Sequence, residues 1–85
     1  MFIIFGKHQC PYCQKSIEKL NTLQNKYIFL DIEKSDNKEY LNQLKSYGFI
    51  PDDFVTVPVV IKYRDSNHSD FIGGSEELFS YLLNK

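Results

Sequence analysis

The chain opens on an unbroken apolar run of strand length, Phe2-Ile3-Ile4-Phe5. Such runs suit a strand buried on both faces, as in a parallel sheet. Gly6 frees the backbone to turn, and Lys7-His8-Gln9 make a short polar connection. From Pro11 to about Gln24 the apolar positions shift to helical spacing. Cys13, Ile17, Leu20 and Leu23 fall on one face, with Lys15, Glu18 and Lys19 outside. Proline suits the first position of a helix, where its fixed φ and missing N–H cost little. That places Cys10 at the N-cap. A second strand follows at Tyr27–Ile32, then a second helix from about Lys38 to Tyr47 with Asp36 as its N-cap. Leu41 and Leu44 face inward there, with Tyr40 or Tyr47 beside them, and Gly48 ends the helix.

Phe49–Phe54 reads as a loop around Pro51-Asp52-Asp53, followed by Val55-Thr56-Val57-Pro58 and a β-branched strand, Val59–Tyr63. Arg64–Asn67 supplies a polar hairpin turn, and His68–Ile72 a short fourth strand that Gly73-Gly74 breaks. Ser75 can cap a last helix carrying Leu78, Phe79, Leu82 and Leu83, with Glu76 and Glu77 suited to its N-terminal turn. The order β-α-β-α-β-β-α predicts an α/β fold with a four-stranded mixed sheet flanked by three helices.

Composition narrows the picture. Eighty-five residues suggest one domain spanning 1–85, and seven Phe with six Tyr supply one core. A formal net charge of −1 and the lack of a basic stretch give no pull toward nucleic acid. The first residues carry no basic region and no small-residue cleavage site, and four apolar residues cannot cross a bilayer. A cytoplasmic monomer with no membrane partner is the expectation.

The only two cysteines are Cys10 and Cys13. A strand leading through a short turn into Cys-x-x-Cys reads as a thiol–disulfide redox site. The thiolate is the attacking species. At a helix N-terminus, unpaired N–H groups and the helix dipole both stabilise an anion at Cys10, and Lys7 and Lys15 add positive charge nearby. Cys13, one turn on and nearer the core, should stay protonated. Cys10 would then attack a disulfide, and Cys13 would displace the product. Two cysteines at this spacing are also half a zinc site, which His8 and His68 could complete. A helix-starting proline speaks against that, so no metal is expected, and both histidines read as solvated residues.

Cys10-Pro11-Tyr12-Cys13 after a strand and Lys7, then Thr56-Val57-Pro58, then Gly73-Gly74 followed by acidic residues, resemble a dithiol glutaredoxin. The likeness spans the whole chain. It implies a thioredoxin-like fold and glutathione-dependent thiol–disulfide exchange, with glutathione as the reductant. By the resemblance Cys10 is the nucleophile and Cys13 the resolving thiol. Lys7 lies near the glycyl carboxylate of glutathione, and Tyr12 flanks the cleft. Thr56, Val57 and a cis Pro58 form the loop that meets the substrate's cysteine. Gly74, Ser75, Glu76 and Glu77 receive the γ-glutamyl end. Protein disulfides are the implied partners, ribonucleotide reductase among them.

Two features depart from the family. Glu76 stands where Ser or Thr is usual and Glu77 where Asp is usual, which puts negative charge near a carboxylate site. The loop before Thr56 is about three residues longer than in many cellular members, a length that resembles some phage glutaredoxins, and is expected to hold Asp52 and Asp53 beside the cleft, where they read as a solvated loop tip rather than as residues with a specific role. Pro11 and Cys13 point away from the iron–sulfur members. A thioredoxin fed by a reductase and a non-enzymatic metal-binding module are the rival readings. The absence of Trp and the Pro-Tyr between the cysteines weigh against thioredoxin.

Overall fold

In the computed structural model the described residues are 1–54, 56–65 and 68–83. The elements are β1 (Phe2–Gly6), α1 (Pro11–Thr22), β2 (Tyr27–Asp31), α2 (Ser35–Ser46), β3 (Val59–Asp65), β4 (His68–Gly73) and α3 (Ser75–Leu83). They form the β-α-β-α-β-β-α order expected of a thioredoxin-like fold. The four strands make one sheet in the order β2-β1-β3-β4. β1 pairs parallel with β2 and antiparallel with β3, and β3 pairs antiparallel with β4.

The apolar run at the start of the chain behaves as its composition requires. Every residue of β1 is buried, and alternation sends its side chains to two cores. Ile3 and Phe5 join Leu41, Ile50, Val59 and Ile61 on the α2 side. Phe2 and Ile4 join Leu20, Val60 and Leu78 under α1 and α3. Burying a side chain of this size is worth about 1.5–3 kcal/mol, so β1 anchors both layers. Among the described residues no helix is long and apolar enough to cross a membrane.

Several boundaries differ from the sequence expectation. α1 stops at Thr22 rather than Gln24, because Gln24 takes a left-handed φ of 58° and the Asn25 N–H turns back to the Leu20 carbonyl at 2.8 Å. Leu23 therefore leaves the apolar face and is 46% exposed. α2 begins at Ser35, three residues early, and Asp36 is not its cap. The N-cap is Lys34, with no side-chain bond. Asp31 causes the early start. Its Oδ1 accepts the Glu33 N–H at 2.9 Å, and its carbonyl accepts the Lys34 N–H and the Asn37 side-chain amide. The chain thus coils as soon as β2 ends.

Gly48 does close α2, with φ 77°. β3 runs on to Asp65, through half of the expected hairpin turn. The other half, Ser66-Asn67, lies outside the described residues, as does Val55. Ser75 is the first helical residue of α3, not its cap. Gly74 holds that place, since its carbonyl accepts the Leu78 N–H at 3.0 Å and its N–H donates to Glu77 Oε1 at 2.7 Å. A glutamate three residues into a helix reaching back in this way is half of a capping box.

Gly6, at the end of β1, holds a position that only glycine fits. A Cβ built there would lie 2.5 Å from Cys13 Sγ and 3.2 Å from a Phe29 ring carbon. Close approach of β1 and α1 at this point seats the Cys13 sulfur. Gly6→Ala is expected to cost about 1–3 kcal/mol through overpacking, read as a lower urea midpoint. An unchanged midpoint would contradict this packing.

Candidate active site

The site lies at the sheet edge where β1 ends and β3 begins. Phe5 pairs with Val59, so the segment before Val59 runs beside the turn after Gly6. Val60 pairs with Gly73, which brings the start of α3 to the same edge. Three stretches far apart in sequence therefore meet by strand register.

Cys10 is the N-cap of α1, and Pro11 is its first helical residue. The Cys10 sulfur accepts the Cys13 N–H at 3.3 Å, so one orphan amide of the helix end points at the atom that would carry the charge. The same sulfur lies 3.9 Å from the Val57 carbonyl, to which its thiol donates. The turn is held by the Cys10 N–H donating to the Lys7 carbonyl at 3.2 Å, and by the Gln14 side chain donating to the His8 carbonyl. Val57-Pro58 is a cis peptide bond, and Pro58 is fully buried beneath the surface.

Cys13 is wholly buried, and both cysteines are free thiols. Burial is the main reason its thiol is pushed up to about 12. The Cys10 sulfur adds to the shift through a hydrogen bond and its charge, partly offset by backbone hydrogen bonding from Lys7 and from Cys13 itself. Two thiols one turn apart thus stand in opposite environments. Ser16, next on this face, is buried as well, its hydroxyl donating to the Tyr12 carbonyl at 2.8 Å. The apolar periodicity of α1 did not single it out, because a serine that bonds back to its own helix fills a core position without an apolar side chain.

A groove of about 310 Å3 opens beside this edge, lined by Tyr12, Thr56, Val57, Gly74, Ser75, Glu76 and Glu77. These are seven of the nine residues the sequence suggested for a glutathione site. Pro58 is the buried floor rather than the lining. Lys7 is exposed on the loop between β1 and α1 and contributes its carbonyl to the Cys10 turn. Lys15 stands over the Tyr12 ring, its Nζ 5.5 Å from the centroid.

Of the two glycines here, Gly73 is the one the backbone requires. Gly73 has φ 126°, and a Cβ on it would lie 2.8 Å from Glu77. A Cβ on Gly74 would meet Glu77 Oε1 at 3.3 Å and the Pro58 carbonyl at 3.6 Å.

Asp52 and Asp53 do not border this groove, contrary to expectation. The loop is drawn to the α2 side by Ile50, which is fully buried, and by Phe54, which packs edge-on against Phe71 with ring centroids 5.2 Å apart. The two aspartates are left at an exposed turn closed by the Phe54 N–H and the Pro51 carbonyl. His8 is exposed but not merely solvated. Its Nε2 lies 3.5 Å from Asp31 Oδ2 and its ring 5.0 Å from that of Phe29. His68 pairs with Asp65 at the hairpin. Among the described residues no group of three His, Cys, Asp or Glu could hold a metal ion.

Sequence reasoning also missed a second, smaller cavity on the far side of Thr56 and Val57. Lys38, Asn42 and Lys45 of α2 line it with Phe54. Their spacing, four and three residues apart, places them on one helix face, a signal masked by their ordinary surface composition.

The family model for glutaredoxin matches residues 2–65. Among solved structures, a wheat glutaredoxin superposes with a TM-score of 0.66 at 23% identity, covering 98% of this chain and 70% of that one. Glutaredoxin 1 from Francisella tularensis gives 0.71 at 20% identity, covering 99% and 96%. A buckwheat glutaredoxin solved as a glutathione complex gives 0.69 at 20% identity, covering 98% and 68%. No curated protein matches the sequence significantly. With a dithiol Cys10–Cys13 motif on a matching fold, the chain belongs to the glutaredoxin family and is a thiol–disulfide oxidoreductase.

Proposed function

We infer that this oxidoreductase uses glutathione to reduce protein disulfides and glutathione mixed disulfides, with Cys10 as nucleophile and Cys13 as resolving thiol. The observation that carries the reading is the setting of the Cys10 sulfur. It receives the Cys13 N–H at 3.3 Å, neighbours the Val57 carbonyl at 3.9 Å, and adjoins a groove that ends at the start of α3. A glutathione complex of a buckwheat relative supports the choice of reductant. The reading takes the chain as a cytoplasmic monomer, working where glutathione keeps thiols reduced.

The steps follow from the two environments. The Cys10 thiolate attacks a substrate sulfur. The substrate disulfide breaks, one thiolate leaves, and a Cys10–substrate mixed disulfide forms. Capping Cys10 removes its negative charge from beside Cys13, and with it one of the causes that hold the Cys13 proton. Cys13 then loses its proton and attacks the Cys10 sulfur, the product thiolate leaves, and a Cys10–Cys13 disulfide remains. One glutathione thiolate opens that bond to give a glutathionylated Cys10. A second displaces Cys10 and departs as glutathione disulfide. Substrate backbone can pair with Val57 as an added strand, and the free N–H groups at the start of α3 suit the γ-glutamyl carboxylate. Lys7 suits the glycyl carboxylate. Glu76, exposed at the groove, opposes the first of these and attracts the γ-glutamyl ammonium.

In a glutathione-coupled assay, Cys10→Ser is expected to abolish turnover on every disulfide. Cys13→Ser is expected to keep activity on a small glutathione mixed disulfide and to lose it on a protein disulfide. Retained activity in Cys10→Ser would overturn the assignment of the nucleophile. The Cys13 shift sets a pH expectation. In Cys10→Ser protein, alkylation of Cys13 by iodoacetamide should keep rising well above pH 9, whereas a free thiol levels off past about 8.5. A raised folded-state value also means that the unfolded chain ionises first, so this group withdraws stability as pH climbs from about 8.5 toward 12. A plateau near the free-thiol value would contradict the buried, protonated Cys13.

A further inference from the structure

Thr56 and Val57 are a wall shared by two cavities of opposite charge. On one side, the groove of about 310 Å3 carries Glu76 and Glu77. On the other, the cavity of about 180 Å3 carries Lys38 and Lys45. None of the ion pairs among the described residues joins any of these four. Glu77 is partly engaged by the Gly74 N–H, while Glu76 is exposed and has no cationic partner among the described residues. The Cys10 sulfur sits at the wall itself, against the Val57 carbonyl. A peptide disulfide that crosses Val57 to reach Cys10 therefore extends over carboxylates in one direction and ammonium groups in the other.

We propose that this two-signed cleft selects its substrates by the charges flanking the reactive cysteine, favouring a cation before it at Glu76 and an anion after it at Lys38 and Lys45. In an extended peptide, residues two before and two after the cysteine share its face and lie about 7 Å to either side. Those positions are the ones read, and the substrate class is a cysteine in a (Lys/Arg)-x-Cys-x-(Asp/Glu) context. The direction rests on the glutathione reading above, in which the γ-glutamyl end lies at α3 and the C-terminal end beside Lys7. Glu76, which opposes a carboxylate at α3, becomes favourable once the occupant on that side is a lysine or arginine. Opposite charge in a water-exposed cleft acts on encounter rate and register more than on final affinity.

The test uses the Cys13→Ser protein and three end-blocked peptides, Lys-Gly-Cys-Gly-Glu, Glu-Gly-Cys-Gly-Lys and Gly-Gly-Cys-Gly-Gly, each as a mixed disulfide with thionitrobenzoate. The Cys10 thiolate attacks the peptide sulfur and the peptide–thionitrobenzoate bond breaks. Thionitrobenzoate leaves with the electron pair as a coloured anion, and the Cys10–peptide disulfide is the end point. The first peptide is expected to react about three- to tenfold faster than its reverse, with the gap closing as salt is raised. Glu76→Lys combined with Lys38→Glu should invert the order. If that double variant does not fold, Glu76→Gln and Lys38→Gln, each normalised to the neutral peptide, should both narrow the gap. Equal rates for the two charged peptides, with the neutral peptide reacting, overturn the charge selection alone. Failure of the neutral peptide to react overturns the Cys10 reading and the proposal with it.

Discussion

The position of β1 between β2 and β3 is the constraint on which the rest of the molecule depends. Its five residues are buried on both faces, so it can sit only at the centre of the sheet, with a helical layer on each side. Its C-terminal end then sets the edge at which chemistry occurs. Pairing of Phe5 with Val59 and of Val60 with Gly73 carries Thr56–Pro58 and the start of α3 to that edge. Backbone register, more than any contact within the site, brings Val57 to a sulfur 47 residues away.

The two thiols show how one helix end creates different chemistry three residues apart. Cys10, at the cap, has an amide directed at its sulfur and a groove beside it. Cys13, inside the first turn, faces the close approach of Gly6 and loses contact with water. Desolvation penalises the charged form, so Cys13 remains a thiol while the Cys10 sulfur is accessible for attack. The partition needs no extra ionisable residue. It follows from a half-in N-cap position and a strand that ends in glycine.

Most elements were legible because their causes are local. The apolar run of β1, proline at the first turn of α1, Gly48 after α2 and the β-branched run of β3 each carry their own backbone or burial preference. What was misread depended on partners elsewhere. Asp36 looked like a cap, but Asp31 had already turned the chain. Ser75 looked like a cap, but Glu77 reached back to Gly74. Asp52 and Asp53 were expected beside the cleft, but burial of Ile50 and packing of Phe54 on Phe71 pulled their loop to the other side. The basic face of α2 was invisible for the same reason, since Lys38 and Lys45 come to line a cavity with Val57 only through the tertiary fold.

By itself, then, the sequence determined the order of elements, the dithiol pair and the residues that gather around it. Each of these is encoded by spacing, turn residues and side-chain chemistry within a few positions. Tertiary structure decided which side of Val57 each charge occupies, which thiol is dry, and why Gly6 and Gly73 must be glycine. Those are properties of distances between segments. They arise from strand register and packing density, which no short stretch of the chain contains.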